Sequence, residues 1–211
     1  MSTEFGKIET LYERDEKTHK LKQPLVLKNP TYGLLKTWHW TEKIDGTNIR
    51  LIWQGGKLTI GGKTDNANIP AGLVNYLQEA VTSHHMQNAF TYADGSTTDA
   101  VVYGEGYGAG IQGGGGYCQD KRFIVFDVLV AGKWWLSHPN VVDVAGKLKL
   151  PTVPFMGVWT LEEATAIVRD GFVSRLAKGQ RQAEGLVGRP AECLFDKKGH
   201  RLITKIKTRD F

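Results

Sequence analysis

The chain has 211 residues, 41% hydrophobic and 23% charged, which supports a sizeable core and excludes disorder throughout. Its net charge of +5 suits a polyanionic partner without establishing one. Cys118 and Cys193 are the only cysteines, with no C-x-x-C, so a disulfide framework or zinc site is not expected and a reducing, cytoplasmic setting is. No apolar run reaches membrane-spanning length, so no membrane partner is expected.

The first 36 residues are polar and lysine-rich, with Lys17, Lys20, Lys22 and Lys28, and are expected to cross the surface of the domain that follows. Residues 49–53 and 57–60 flank Gly55-Gly56 and read as a tight β-hairpin. Residues 70–83 read as one helix, with Pro70 in its first turn and Leu73, Val74, Leu77, Ala80 and Val81 on one face. His84-His85, near its end, reads as a capping or solvated pair. Residues 100–103 form a short strand entering a glycine-rich loop. Residues 122–130 give the strongest strand signal, apolar enough for burial on both faces. A helix over 141–148 is opened by Ser137 and Pro139, and another starts at Thr160, where Thr160 and Glu163 form a capping box. Residues 184–189 and 202–207 close the chain as strands. The sum is an α+β fold with mixed or antiparallel sheets and flanking helices, and no linker.

Six local patterns can carry chemistry. Lys43-Ile44-Asp45-Gly46-Thr47-Asn48 places a lysine beside a carboxylate, with a glycine where the backbone turns, the makings of a covalent lysine nucleophile. Gly61-Gly62-Lys63 lets backbone and ammonium approach a phosphate, although Lys57 stands where the first glycine of a P-loop would fall. Glu105, within Tyr103-Gly104-Glu105-Gly106-Tyr107-Gly108, can accept from ribose hydroxyls. Phe123 and Phe126 point to opposite faces of a strand, one into the core and one as a floor for a flat base. Glu184 precedes a glycine and can hold a metal ion directly or through water. Lys205 and Lys207 share one strand face and repel each other unless an anion lies between them. Taken singly, each also fits an ordinary role: a lysine in a turn, a solvated glutamate, a core ring, a lysine guarding a sheet edge.

In this order the patterns resemble the covalent nucleotidyltransferase superfamily of ATP-dependent DNA ligases, RNA ligases and mRNA capping enzymes. The likeness runs from Lys43 to Lys207. Within the superfamily the strings Thr41 to Asn48 and Tyr103 to Gly108 with Ile111-Gln112 are most similar to phage-type RNA ligases that seal nicks and repair RNA. The resemblance implies a ligase-type adenylyltransferase domain, ATP-grasp-like, over residues 37–211. Residues 1–36 would pack on it, and no C-terminal accessory domain would follow. It implies ATP and Mg2+ (or Mn2+) as cofactors, Lys43 as the AMP carrier and an adenylated 5′ end as second intermediate. Glu42, Asn48 and Lys63 would join the nucleotide site, Glu105 would hold ribose and Phe126 adenine. Lys205 and Lys207 would neutralise phosphate, and Glu184 would position the metal with Asp45 acting through water. The implied partner is RNA or a nicked duplex, met by a monomer, with an accessory domain in trans as a further partner. Asp45 stands where many RNA ligases carry histidine, so a minimal DNA-nick ligase remains open. A capping guanylyltransferase and a non-catalytic nucleic-acid-binding module are the other readings.

Overall fold

Both sheets are assembled from strands far apart in sequence. The computed structural model describes residues 3–211, and these divide into two units. The first combines the described residues up to Gly6 with Asp45–Val153; the second combines Lys7–Ile44 with Pro154–Phe211. In chain order the early elements are β1 (Glu9–Thr10), β2 (Trp38–Glu42), β3 (Thr47–Gln54), β4 (Lys57–Gly61), α1 (Ala71–Ala80), α2 (Ser83–Ala89) and β5 (Ala100–Tyr107). They are followed by β6 (Arg122–Val130), β7 (Trp134–Trp135), α3 (His138–Lys147), β8 (Phe155–Trp159), α4 (Leu161–Asp170), β9 (Gly185–Arg189) and β10 (Thr204–Lys207). The fold class is therefore α+β, as the sequence implies.

The first unit carries an antiparallel sheet in the order β4-β3-β5-β6-β7. Its hairpin β3–β4 turns at Gly55-Gly56, with Gln54 opposite Lys57. On one face Ile49, Leu51, Trp53, Val102, Phe123 and Val125 form a core with Leu73 and Leu77 of α1 and Val141 of α3. The other face carries a smaller cluster of Val101, Tyr103 and Leu129, against which Phe5, Ile52, Phe126 and Trp135 pack. Both faces of β6 are thus covered, in keeping with its continuous apolarity.

Two expectations need correction here. The single helix over 70–83 is two helices. Val81 leaves the first in an extended conformation, φ −130°, and Thr82 starts the second by accepting from the His85 N–H. The side chain of Thr82 competes with continued helix, and periodicity alone does not register it. His85 completes a capping box, so of the two histidines it is the one that caps. The second correction concerns β5, which continues through Gly104 and Gly106 to Tyr107 instead of ending at Tyr103 in a loop. Those glycines serve close packing. A Cβ at Gly104 would lie 2.3 Å from the Phe123 ring, and one at Gly106 would lie 2.3 Å from Leu73.

The second unit carries a sheet in the order β1-β10-β9-β2-β8, with β1 parallel to β10 and the other pairs antiparallel. Trp38, Trp40, Leu186 and Ile206 meet Leu161, Ala164 and Val168 of α4 in its core. The α4 capping box of Thr160 and Glu163 is formed. Leu11, Tyr12 and Tyr32 are buried in the same core. The lysine-rich leading segment therefore does more than cross a surface; its apolar residues are too sparse to show a period. No described helix is long and apolar enough to cross a membrane.

Replacing Gly104 with alanine should overpack the β5–β6 contact and lower stability by about 1–3 kcal/mol. Urea unfolding checks this; an unchanged midpoint and slope would contradict the packing account.

Candidate active site

Lys43 lies one residue past β2, and its N–H donates to the Gly185 carbonyl at 2.9 Å. That backbone bond fixes the chain at the start of β9, directly beside Glu184. The Lys43 Nζ donates to Glu184 Oε2 at 2.7 Å, and the Lys207 Nζ donates to Glu184 Oε1 at 2.7 Å. One carboxylate thus holds two ammonium groups, one per oxygen, with all three side chains mostly shielded: 21% exposed for Lys43, 16% for Glu184 and 14% for Lys207. Burial pushes the Glu184 carboxyl up, but the attraction and hydrogen bonds of Lys43 and Lys207 outweigh it and hold it below the ordinary glutamate range. Glu184 is a poor proton acceptor for that reason; it orients Lys43 rather than deprotonating it.

Lys205 and Lys207 share a face of β10 while Thr204 and Ile206 turn inward, the alternation expected of a strand. Burial pushes the Lys205 ammonium down to about 8, helped by repulsion from Lys207, Lys43 and Lys7 and opposed by Glu184. Glu42 is on β2 and buried, and the structure spends both its oxygens on the backbone loop that follows α4. Ser174 Oγ donates to Oε1, and the Arg175 N–H donates to Oε2 at 2.8 Å. Its carboxylate anchors that loop.

The remaining candidates belong to the first unit. Asn48, Arg50 and Ile52 of β3 face away from the main core, and Asn48 stands directly opposite Glu105 of β5. Asn48 Oδ1 is buried and bonded to nothing among the described residues. A β-bulge pairs Tyr103 with Asp127 and Gly104 with Val125, leaving Phe126 as the extra residue. Phe126 therefore lies on the same face as Tyr103, and Phe123 in the core, the split that the sequence implies. Asn48, Glu105 and Phe126 share one sheet face. Lys63 sits on an exposed bend after β4. Asp45 is held by its backbone, whose N–H donates to Tyr117 Oη at 3.1 Å. Gly46 next to it adopts no left-handed conformation; its missing side chain instead admits the Gly106 carbonyl, 2.2 Å from where a Cβ would be.

Sequence reasoning missed Phe5, whose ring lies 5.2 Å from Phe126 and 5.0 Å from Tyr103. A lone aromatic in a polar stretch was the available signal. It also missed Arg50, wholly buried and bonded to the Gly62 carbonyl at 2.7 Å and to Asp65 at 2.9 Å. Among the described residues no three His, Cys, Asp or Glu side chains converge on a metal position. A hard cation that keeps several waters and shares its remaining positions with phosphate oxygens needs no such cage; each Glu184 oxygen already holds a lysine ammonium, so such an ion would reach this carboxylate only through water.

Residues 36–207 match the family described as RNA ligase. Among solved structures the chain is similar to a Naegleria gruberi RNA ligase with pyrophosphate, at 18% identity and a TM-score of 0.68, covering 99% of this chain and 61% of that one. It is likewise similar to two lysine-substituted mutants of that ligase. One, with ATP and Mn, gives 17% identity and a TM-score of 0.64 over 94% of this chain and 58% of that one. The other, with AMP and Mn, gives 16% and 0.67 over 96% and 60%. The chain spans about three fifths of the length of these enzymes.

Because folding lowers the proton affinity of Lys205, the unfolded chain holds that proton more tightly, and stability should rise as pH climbs from about 8 towards 10.5. Lys205→Met should therefore unfold at higher denaturant than the wild type at pH 7, with the gap closing over that window. A gap independent of pH would contradict a desolvated ammonium.

Proposed function

Since the chain belongs to the RNA ligase family, we propose that it joins a 5′-phosphate end to a 3′-hydroxyl end of RNA through an AMP carried on Lys43. The observation that carries this reading is the Glu184 clamp, which fixes the Lys43 amine beside two further lysines on β10. An α-phosphate needs what that cluster offers: a nucleophile held in line and positive charge on its oxygens.

In the first step the Lys43 Nζ, having given its proton to water, attacks the α-phosphorus of ATP, and the adduct nitrogen sheds a second proton to water. An N–P bond forms, the bond to the bridging oxygen breaks, and pyrophosphate leaves with the electron pair. Lys205 and Lys207 neutralise charge on the phosphate as it develops; removing one such donor typically costs roughly 3–4 kcal/mol of barrier lowering. The AMP then passes to the RNA 5′-phosphate, and the 3′-hydroxyl displaces it to make the phosphodiester. In the first unit the same reading gives ribose hydroxyls to Glu105, adenine to Phe126 and, with the amide nitrogen donating, a phosphate oxygen to Asn48, which stands opposite Glu105. Lys63, exposed on its bend, has the least support. Glu42 supports the reading only by anchoring the loop after α4. A divalent ion held through water by Glu184 would add charge neutralisation at the phosphates. The finer reading, a repair-type enzyme that seals nicks, rests on the strings Thr41 to Asn48 and Tyr103 to Gly108.

With α-labelled ATP and Mg2+, the wild type should acquire label and Lys43→Ala should not; labelling of the variant would refute Lys43 as nucleophile. On matched nicks the RNA substrate should be sealed faster than the DNA one, and the reverse order would make this a DNA-nick ligase. Labelling with GTP in place of ATP would make it a guanylyltransferase.

A further inference from the structure

The second unit contains a cavity of about 330 Å³ into which Lys7, Arg14, Lys28, Lys205, Lys207 and Arg209 project. Three stretches of chain build it. The parallel pairing of β1 with β10 sets Thr10 opposite Lys205. The Lys28 N–H donates to the Leu11 carbonyl at 2.8 Å, bringing a second strand of backbone alongside. An ion pair between Arg14 and Asp210 ties the wall to the residue after Arg209.

Charge in this cavity is not balanced from within. Six cations face one lining carboxylate, Glu9, and Glu9 reaches Lys7 only at 3.9 Å. Arg14 is paired with Asp210 and Lys207 with Glu184. Lys28, Lys205 and Arg209 have no carboxylate within ion-pair distance among the described residues. Lys205 is half-buried besides; burial lowers its proton affinity most, and the like charge of Lys207, Lys43 and Lys7 lowers it further. Lysines kept for solubility are spread over a surface, because gathering them raises mutual repulsion. Cations gathered into one concave site from separate segments are complementary to an anion.

The lining also says which kind of anion. It contains no aromatic side chain, so it offers bases nothing to stack on and can read only phosphate. Its cations grade from the shielded Lys207 to Lys7, whose side chain is 79% exposed. Such a gradient suits a chain of phosphates entering from solvent better than a small ion enclosed on all sides. We propose that this cavity seats the phosphodiester backbone of the RNA strand beside the end being joined. The proposal rests on the RNA-ligase reading above, and on Lys205 and Lys207 being common to the cavity and the Lys43 cluster.

Lys28 and Arg209 test it, since both are exposed and neither touches the Glu184 clamp. Binding of a fluorescent 5′-phosphorylated RNA oligonucleotide is measured against salt for the wild type, Lys28→Ala, Arg209→Ala and the double variant. Dissociation constants should rise at low salt, alike for unrelated sequences. The log–log salt slope should become shallower by roughly 0.7 for each side chain removed. Transfer of AMP from ATP to Lys43, which needs no RNA, should continue and reports that the variants are folded. Unchanged RNA affinity and salt slope would overturn the proposal. So would variants that lose AMP transfer and competition by inorganic pyrophosphate in step with RNA, since that assigns the cavity to the nucleotide's own phosphates. A wild type that never forms the AMP adduct, yet binds RNA through Lys28 and Arg209, would support the cavity and sink the ligase reading.

Discussion

One carboxylate organises the chemistry of the second unit. Glu184 lies between the ammonium groups of Lys43 and Lys207, bonding one with each oxygen. Without it, two cations shielded from water would face each other with nothing between them. An unpaired charge in such surroundings costs several kcal/mol. The arrangement is also chemically selective: two ammonium partners keep the carboxylate ionised, so it aims the lysine amine without competing for its proton. Placement depends on backbone geometry, the Lys43 N–H to Gly185 bond that closes β2 onto β9.

Strand β10 links that clamp to the rest of the unit. Ile206 packs inward against Trp38, Trp40 and Leu186, while Thr204 is buried and bonded to the Glu9 carbonyl. The alternate residues, Lys205 and Lys207, are turned outward. The same period-2 geometry that buries the apolar half of the strand therefore lines up its cations. Lys207 completes the clamp, and both lysines contribute to the basic cavity. A shift of register by one residue would bury both charges and expose Ile206. Packing and charge placement are thus set by a single choice of pairing.

Local patterns were legible in the sequence and distant ones were not. The β3–β4 hairpin, the buried strand β6 and the α4 capping box each depend on residues within a few positions of one another, and each forms where the sequence puts it. Glu105 and Phe126 were readable as residues, but the bulge that leaves Phe126 unpaired depends on its partner strand. The extension of β5 through Gly104 and Gly106 is not legible in the sequence, because a glycine required by a neighbour's ring looks there like one required by a turn. The break at Thr82 was hidden by uninterrupted apolar spacing. Lys43, Glu184 and Lys207 were named from their motifs. That one carboxylate joins both lysines, across 141 residues from Lys43 to Glu184, is a product of sheet order. The basic cavity escaped notice for the same reason, its lysines and arginines being drawn from both ends of the chain.

The Glu184 clamp can be examined without any substrate. Titration of the Glu184 side-chain carboxyl by carbon-detected NMR, assigned by comparison with Glu184→Gln, reports its charge environment directly. Two bonded ammonium groups require its midpoint to lie below 4.5, the ordinary value for glutamate. A midpoint at or above that value would mean that burial governs the group unopposed, and that Lys43 is not held where the account needs it.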